Sequence, residues 1–217
     1  MKKILLLTCC LCGAGILDAQ KIITKAFSFV NKESLSLNLN IADSIQIVTW
    51  NKNEVSVKCS ININQNKYND DYKVAFDESG KIIQVKAKFE TDRKTSWNND
   101  SNCCNYKSEI IWEVMIPENA AFEVETINGD IIITGKTDEI KAYTISGFID
   151  LSVPLDRKAD FKLSTITGTV YSDLLNGSVS KKHNNYSDIA DKYNGGGKPV
   201  NLKTISGNIY LRKAGSQ

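Results

Sequence analysis

The sequence predicts an all-β protein. Three observations carry this: apolar residues alternate with period two in segment after segment, no stretch of a dozen residues shows helical periodicity, and a four-residue motif recurs four times in the second half. In chain order, Leu35, Leu37, Leu39 and Ile41 share one face of a strand. Ile45 and Ile47 belong to the next strand, which ends at Trp50. Val55, Val57, Cys59, Ile61 and Ile63 follow, then Ile83, Val85, Ala87 and Phe89, then Ile110, Trp112, Val114 and Ile116. Cys59 and Trp112 alternate with aliphatic residues and read as core. The breaks are filled by Asn, Asp and Gly, the residues that turns favour. Two longer polar segments interrupt the pattern. Residues 91–107 hold Trp97, Cys103, Cys104 and Tyr106, and residues 176–198 hold His183, Tyr186, Tyr193 and Gly195-Gly196-Gly197.

The recurring motif is Thr-Ile-x-Gly. Its copies begin at Thr126, Thr144, Thr165 and Thr204, at spacings of 18, 21 and 39 residues. The last spacing is two units long, so the polar segment stands where one unit would be. Each copy has an apolar residue two before the Thr (Val124, Ala142, Leu163, Leu202) and another five after it (Ile131, Ile149, Val170, Ile209). Five is an odd step, which in an unbroken strand would place Thr and the later residue on opposite sides. The x-Gly pair must therefore bend the chain, a role that suits glycine. A unit of about 20 residues costs roughly 30 kcal/mol to order at ~1.5 kcal/mol per residue, so units must stack to be stable. The expectation is a β-solenoid, with right-handed parallel β-helix-like repeats in the C-terminal half and a strand-rich N-terminal half. Thr126, Thr144 and Thr165 then sit about 4.8 Å apart in successive coils. The alternative is an antiparallel β meander or sandwich with x-Gly as a hairpin turn.

Residues 1–19 read as a secretory signal peptide. Lys2 and Lys3 precede an apolar run from Ile4 to Ile16, and Leu17-Asp18-Ala19 offers a cleavage point. The run is shorter than the roughly 20 residues that span a bilayer, and no other segment is apolar enough to do so. Residues 20–217 then form a single domain, exported to the periplasm, the outer surface or the medium. Cys9, Cys10 and Cys12 leave with the signal, so Cys59, Cys103 and Cys104 remain, an odd number in a compartment that permits disulfides. Cys59 bridged to one of the pair, a vicinal bond and an intermolecular bond are all open.

Composition excludes more than it assigns. Lys+Arg number 27 and Asp+Glu 25, a formal charge of +2 over 217 residues, which argues against nucleic-acid binding through a basic face. The single histidine, His183, removes every site that needs two imidazoles. No Gly-x-Ser-x-Gly elbow and no Gly-Gly-x-Gly-x-Asp calcium repeat occurs. Asp70, Asp71, Asp130 and Asp150 read as solvated turn carboxylates, so no catalytic residue, metal ligand or cofactor is expected.

Beyond the repeats, the strand Trp112-Glu113-Val114-Met115-Ile116-Pro117 ends in proline, Gly129 is followed by Asp130, and residues 195–213 run Gly-Gly-Gly-Lys-Pro through Thr204-Ile205-Ser206-Gly207-Asn208 to Lys213. Together these marks resemble the putative adhesin family of bacterial envelope proteins, over most of the mature chain. The resemblance implies a β-helix-like fold, export to the envelope and an adhesive role, with no catalytic motif to carry over. Copies two and three depart from the family's Gly-Asp pair, with Phe148 and Thr169 after the glycine. Exposed aromatics in loops are enriched at binding sites, which makes Trp97, Tyr106 and Tyr186 the candidate binding residues. The expected partner is a surface protein or a glycan. The competing expectations are a β-helix carbohydrate-active enzyme, recognised by a cleft with two carboxylates within about 10 Å, and an envelope structural or stress-sensing module.

Overall fold

The computed structural model describes residues 20–90, 107–174, 182–183 and 186–215. Sixteen strands run in chain order: β1 (Lys21–Ser28), β2 (Ser34–Leu39), β3 (Ile41–Trp50), β4 (Glu54–Ile63), β5 (Tyr72–Asp77), β6 (Ile82–Phe89), β7 (Ser108–Pro117), β8 (Ala121–Thr134), β9 (Ile140–Ser146), β10 (Ile149–Val153), β11 (Ala159–Thr165), β12 (Val170–Ser172), β13 (Lys182–His183), β14 (Tyr186–Tyr193), β15 (Lys198–Ser206) and β16 (Ile209–Lys213). A single 3-10 turn, Asn69–Asp71, is the only helical element among the described residues.

All sixteen strands belong to one hydrogen-bonded sheet, joined through β8. β8 runs unbroken through Asn128-Gly129 and contributes to two faces. The first face has the order β5-β6-β2-β8-β9-β15-β11-β14-β13. The second has the order β1-β4-β7-β3-β8-β10-β16-β12. Their inward residues form one aliphatic core that includes Leu37, Ile45, Val85, Trp112, Ile131, Ile149, Leu163, Leu202 and Ile209. Two layers over a shared core is an arrangement that a β-sandwich also shows.

A two-strand unit emerges from these orders. β2–β3, β6–β7, the two halves of β8, β9–β10, β11–β12 and β15–β16 each place one strand in each face. Within both faces all six units pair in parallel. Two of them, β2–β3 and β6–β7, contain no Thr-Ile-x-Gly, so the unit extends beyond the region where the motif marks it. Antiparallel strands close the ends: β5, β4 and β1 at one, β14 and β13 at the other. Lysines guard the β1 edge, with Lys21 on Asp70 at 2.6 Å and Lys25 on Glu78 at 3.7 Å.

The stacking order corrects the expected succession of coils. Thr144 pairs with Thr126 on one side and Thr204 on the other, and Thr204 pairs with Thr165. The last unit of the chain therefore lies between the second and third copies. The polar segment 176–198 is also not simply a loop. It carries β14, which lies antiparallel to β11 and buries Ile189 against the core.

The corner chemistry explains the motif residue by residue. All four Thr are buried, and three donate their hydroxyl to the corner-glycine carbonyl of the adjacent unit: Thr144 to Gly129 at 3.2 Å, Thr204 to Gly147 at 3.1 Å, Thr165 to Gly207 at 2.8 Å; Thr126 donates to the Asn128 carbonyl of its own unit at 3.0 Å. The glycine follows from the same closeness. A Cβ on Gly147 would fall on the Gly129 carbonyl oxygen, and one on Gly207 on the Gly147 carbonyl oxygen. Both residues also hold φ values, +143° and +156°, that side chains disfavour. Where Asp or Asn follows the glycine, it caps a backbone N–H next door. Asp130 Oδ1 accepts from Phe148 N at 3.0 Å, and Asn208 Oδ1 accepts from Thr169 N at 3.0 Å. Phe148 and Thr169, the two residues that depart from Gly-Asp, are the ones whose backbone N–H is capped in this way.

Candidate functional site

With Thr, Gly and Asp or Asn committed to stacking, the motif's isoleucine is left pointing outward. Ile127 is 50% exposed, Ile145 37% and Ile166 40%, and Ile205 is partly exposed. Parallel register sets them side by side in the order Ile127, Ile145, Ile205, Ile166 across the first face. The next outward row, two residues earlier in each strand, is Glu125, Tyr143, Lys203 and Ser164. The row beyond is Glu123, Lys141, Asn201 and Lys162.

Between these rows lies a shallow groove of about 310 Å3, floored by Val124 and Ala142 and lined by Glu123, Glu125, Lys141, Tyr143, Asn201 and Lys203. The Lys203 ammonium sits 5.6 Å from the Tyr143 ring centroid, a favourable cation–π contact. Asn38 Nδ2 donates to Glu125 Oε2 at 3.4 Å. Lys141 pairs with Glu139 at 3.2 Å. The groove thus joins two carboxylates, two ammonium groups and one aromatic ring to a four-residue apolar border. Glu123 and Glu125 lie two residues apart on the outward side of β8, roughly 7 Å between Cα atoms, so the groove holds the kind of carboxylate pair that the carbohydrate-active alternative requires.

The expected site residues fall mostly elsewhere. Trp97, Tyr106, Cys103 and Cys104 lie outside the described residues. Tyr186 opens β14, paired with His183 of β13, and the side chains of both lie outside the described residues. Tyr193 folds back onto the core, its ring 6.1 Å from Phe161. Cys59 is a fully buried free thiol opposite Trp112, and burial pushes its pKa up to about 12. Trp112 is core, its indole N–H donating to Tyr72 Oη at 3.3 Å. Trp50 donates to the Glu54 carbonyl at 2.7 Å beside Lys52. Asp150 is tied to Arg212, and Asp70 to Lys21. Among the described residues no group of His, Cys, Asp and Glu is placed to hold a metal, and no helix is long and apolar enough to cross a membrane.

The groove residues escaped the sequence reading, although a signal for them exists. Aligning the four copies one residue before the Thr collects Glu125, Tyr143, Ser164 and Lys203 in one column. Only the stacking order shows that Tyr143 and Lys203 are neighbours.

No protein-family profile matches the chain. No curated protein matches it in sequence. Among solved structures, it is similar to a putative cell adhesion protein from Clostridium sporogenes, with a TM-score of 0.53 and 15% identity, covering 90% of this chain and 100% of that one. A putative adhesin from Bacteroides fragilis aligns with a TM-score of 0.36 and 9% identity, covering 91% of this chain and 100% of that one. The chain shares the fold of the Clostridium sporogenes protein over nearly its whole described length, in keeping with the family resemblance that its repeats carry.

Proposed function

We propose that the six parallel units are the coils of a short β-solenoid, and that the chain is exported, after loss of residues 1–19, as a non-catalytic adhesive or ligand-binding protein of the bacterial cell envelope. One observation supports the binding surface above all: four isoleucines stand in a row on the outside, at a motif position that stacking does not use. Contiguous exposed apolar surface of this kind, rimmed by polar groups, marks interaction sites. The Glu125–Tyr143–Lys203 row beside it supplies that polar rim, and the partner is a surface protein or a glycan. Trp97, Tyr106 and Tyr186 are further proposed contacts. The name borne by the Clostridium sporogenes protein agrees with this reading.

Attachment tests it. Beads carrying residues 20–217 should adhere to intact cells of the source organism's community or to matrix-coated plates. Replacing Ile145 and Ile205 with Lys should reduce attachment at least tenfold. Equal attachment by the folded variant would overturn the proposal.

A further inference from the structure

The second face carries a different outward feature, a pile of rings at one motif position. Six residues after each Thr come Ile132, Asp150, Tyr171 and Tyr210, and register orders them Ile132, Asp150, Tyr210, Tyr171. The Tyr171 and Tyr210 rings are stacked, with centroids 5.2 Å apart and planes at 10°. Phe148 presents its ring to Tyr210 at 5.9 Å and 81°. The Arg212 guanidinium lies 5.0 Å from the Tyr210 centroid, and its Nε donates to both oxygens of Asp150, at 3.0 and 2.8 Å. Asn208 Nδ2 donates to Tyr210 Oη at 3.1 Å. Tyr210 is therefore held from several sides. Tyr171 is held from one, is 50% exposed, and belongs to β12, the outermost strand of this face among the described residues.

We propose that the open side of Tyr171 is a stacking platform for one ring of a neutral glycan, an equatorially substituted hexopyranose of the glucose or N-acetylglucosamine type. Such a ring presents a flat C–H face with hydroxyls around its rim, matching an aromatic face edged by a phenol that donates and accepts. Charge points the same way. Arg212, the cation of the ring pile, is paired with Asp150, and the Asp173 carboxylate two residues from Tyr171 disfavours an anionic sugar. Size excludes a protein face as the occupant of this spot alone, because a stable protein interface needs about 800 Å2 on each side. The backing by Tyr210, Phe148, Arg212 and Asn208 fixes the platform before binding, which lowers the ordering cost.

Titration of residues 20–217 with cellohexaose and, separately, chitohexaose tests this, read by calorimetry and by proton NMR of the sugar. Saturable binding of either is expected, with ring-current upfield shifts of the sugar C–H protons, and the arm that binds distinguishes the two sources. Tyr171→Ala should weaken binding about five- to tenfold, the scale of one aromatic stacking contact. Tyr171→Phe and Tyr171→Trp should keep it, and Val30→Ser, an exposed residue outside both surfaces, should leave it unchanged. The proposal is overturned if neither hexasaccharide binds the folded wild type, or if binding occurs without upfield shifts, or if folded Tyr171→Ala binds as tightly.

Discussion

Thr144 and Gly147 show how little of a repeat motif is free to vary. Thr144→Val keeps the shape and removes the donor to the Gly129 carbonyl. It should cost about 1 kcal/mol, with Thr144→Ser near neutral, in urea denaturation followed by circular dichroism. Gly147→Ala should cost about 2 kcal/mol or more, since a Cβ meets the Gly129 backbone and φ is +143°. Cys59 adds a pH test. Its thiol is raised from 9.0 to about 12 by burial, so the folded state holds the proton that the unfolded chain releases. That contribution is fully present below pH 9 and is lost as pH rises toward 12. In the folded protein Cys59 should therefore resist alkylation at pH 8, while unfolding in urea should expose it. At this scale the sequence spoke clearly about inward residues. Alternation named Cys59 and Trp112 as core, because burial on a strand has a period of two. It was silent on why Thr recurs, since the carbonyl that Thr144 meets belongs to another unit.

At the scale of the element, the two-strand unit was readable wherever Thr-Ile-x-Gly marks its corner. It was hidden in β2–β3 and β6–β7, whose corners lack the motif. The strand β14 was hidden for a different reason. Its only fully apolar anchor is Ile189, so its alternation is weak against Asp188, Asp191 and Lys192. Stacking order was beyond reach, because identical repeats pair equally well in any succession. The inserted last unit makes a specific prediction. With Cys103 and Cys104 changed to Ser, cysteines at positions 141 and 201, which face each other across β9 and β15, should form a disulfide on mild oxidation. Cysteines at 141 and 162, two strands and about 9.6 Å apart, should not. The reverse result would restore the sequential order Thr126, Thr144, Thr165, Thr204.

For the whole molecule, the same insertion makes residues 198–213 an internal part of both faces rather than an end. Removing them should leave β9 and β11 without their shared neighbour and abolish cooperative thermal unfolding of the remainder. The candidate site is likewise a property of the assembled stack. Each copy contributes one isoleucine, and none is a surface patch until parallel register lines up all four. The direct test is hydroxyl-radical footprinting of residues 20–217, free and attached to the cells or matrix it binds. Attachment should protect Ile127, Ile145, Ile205 and Ile166 together with Tyr143, while the exposed Ile22, Val30 and Leu155 oxidise as before. Unchanged oxidation of the four isoleucines in the attached protein would contradict the account.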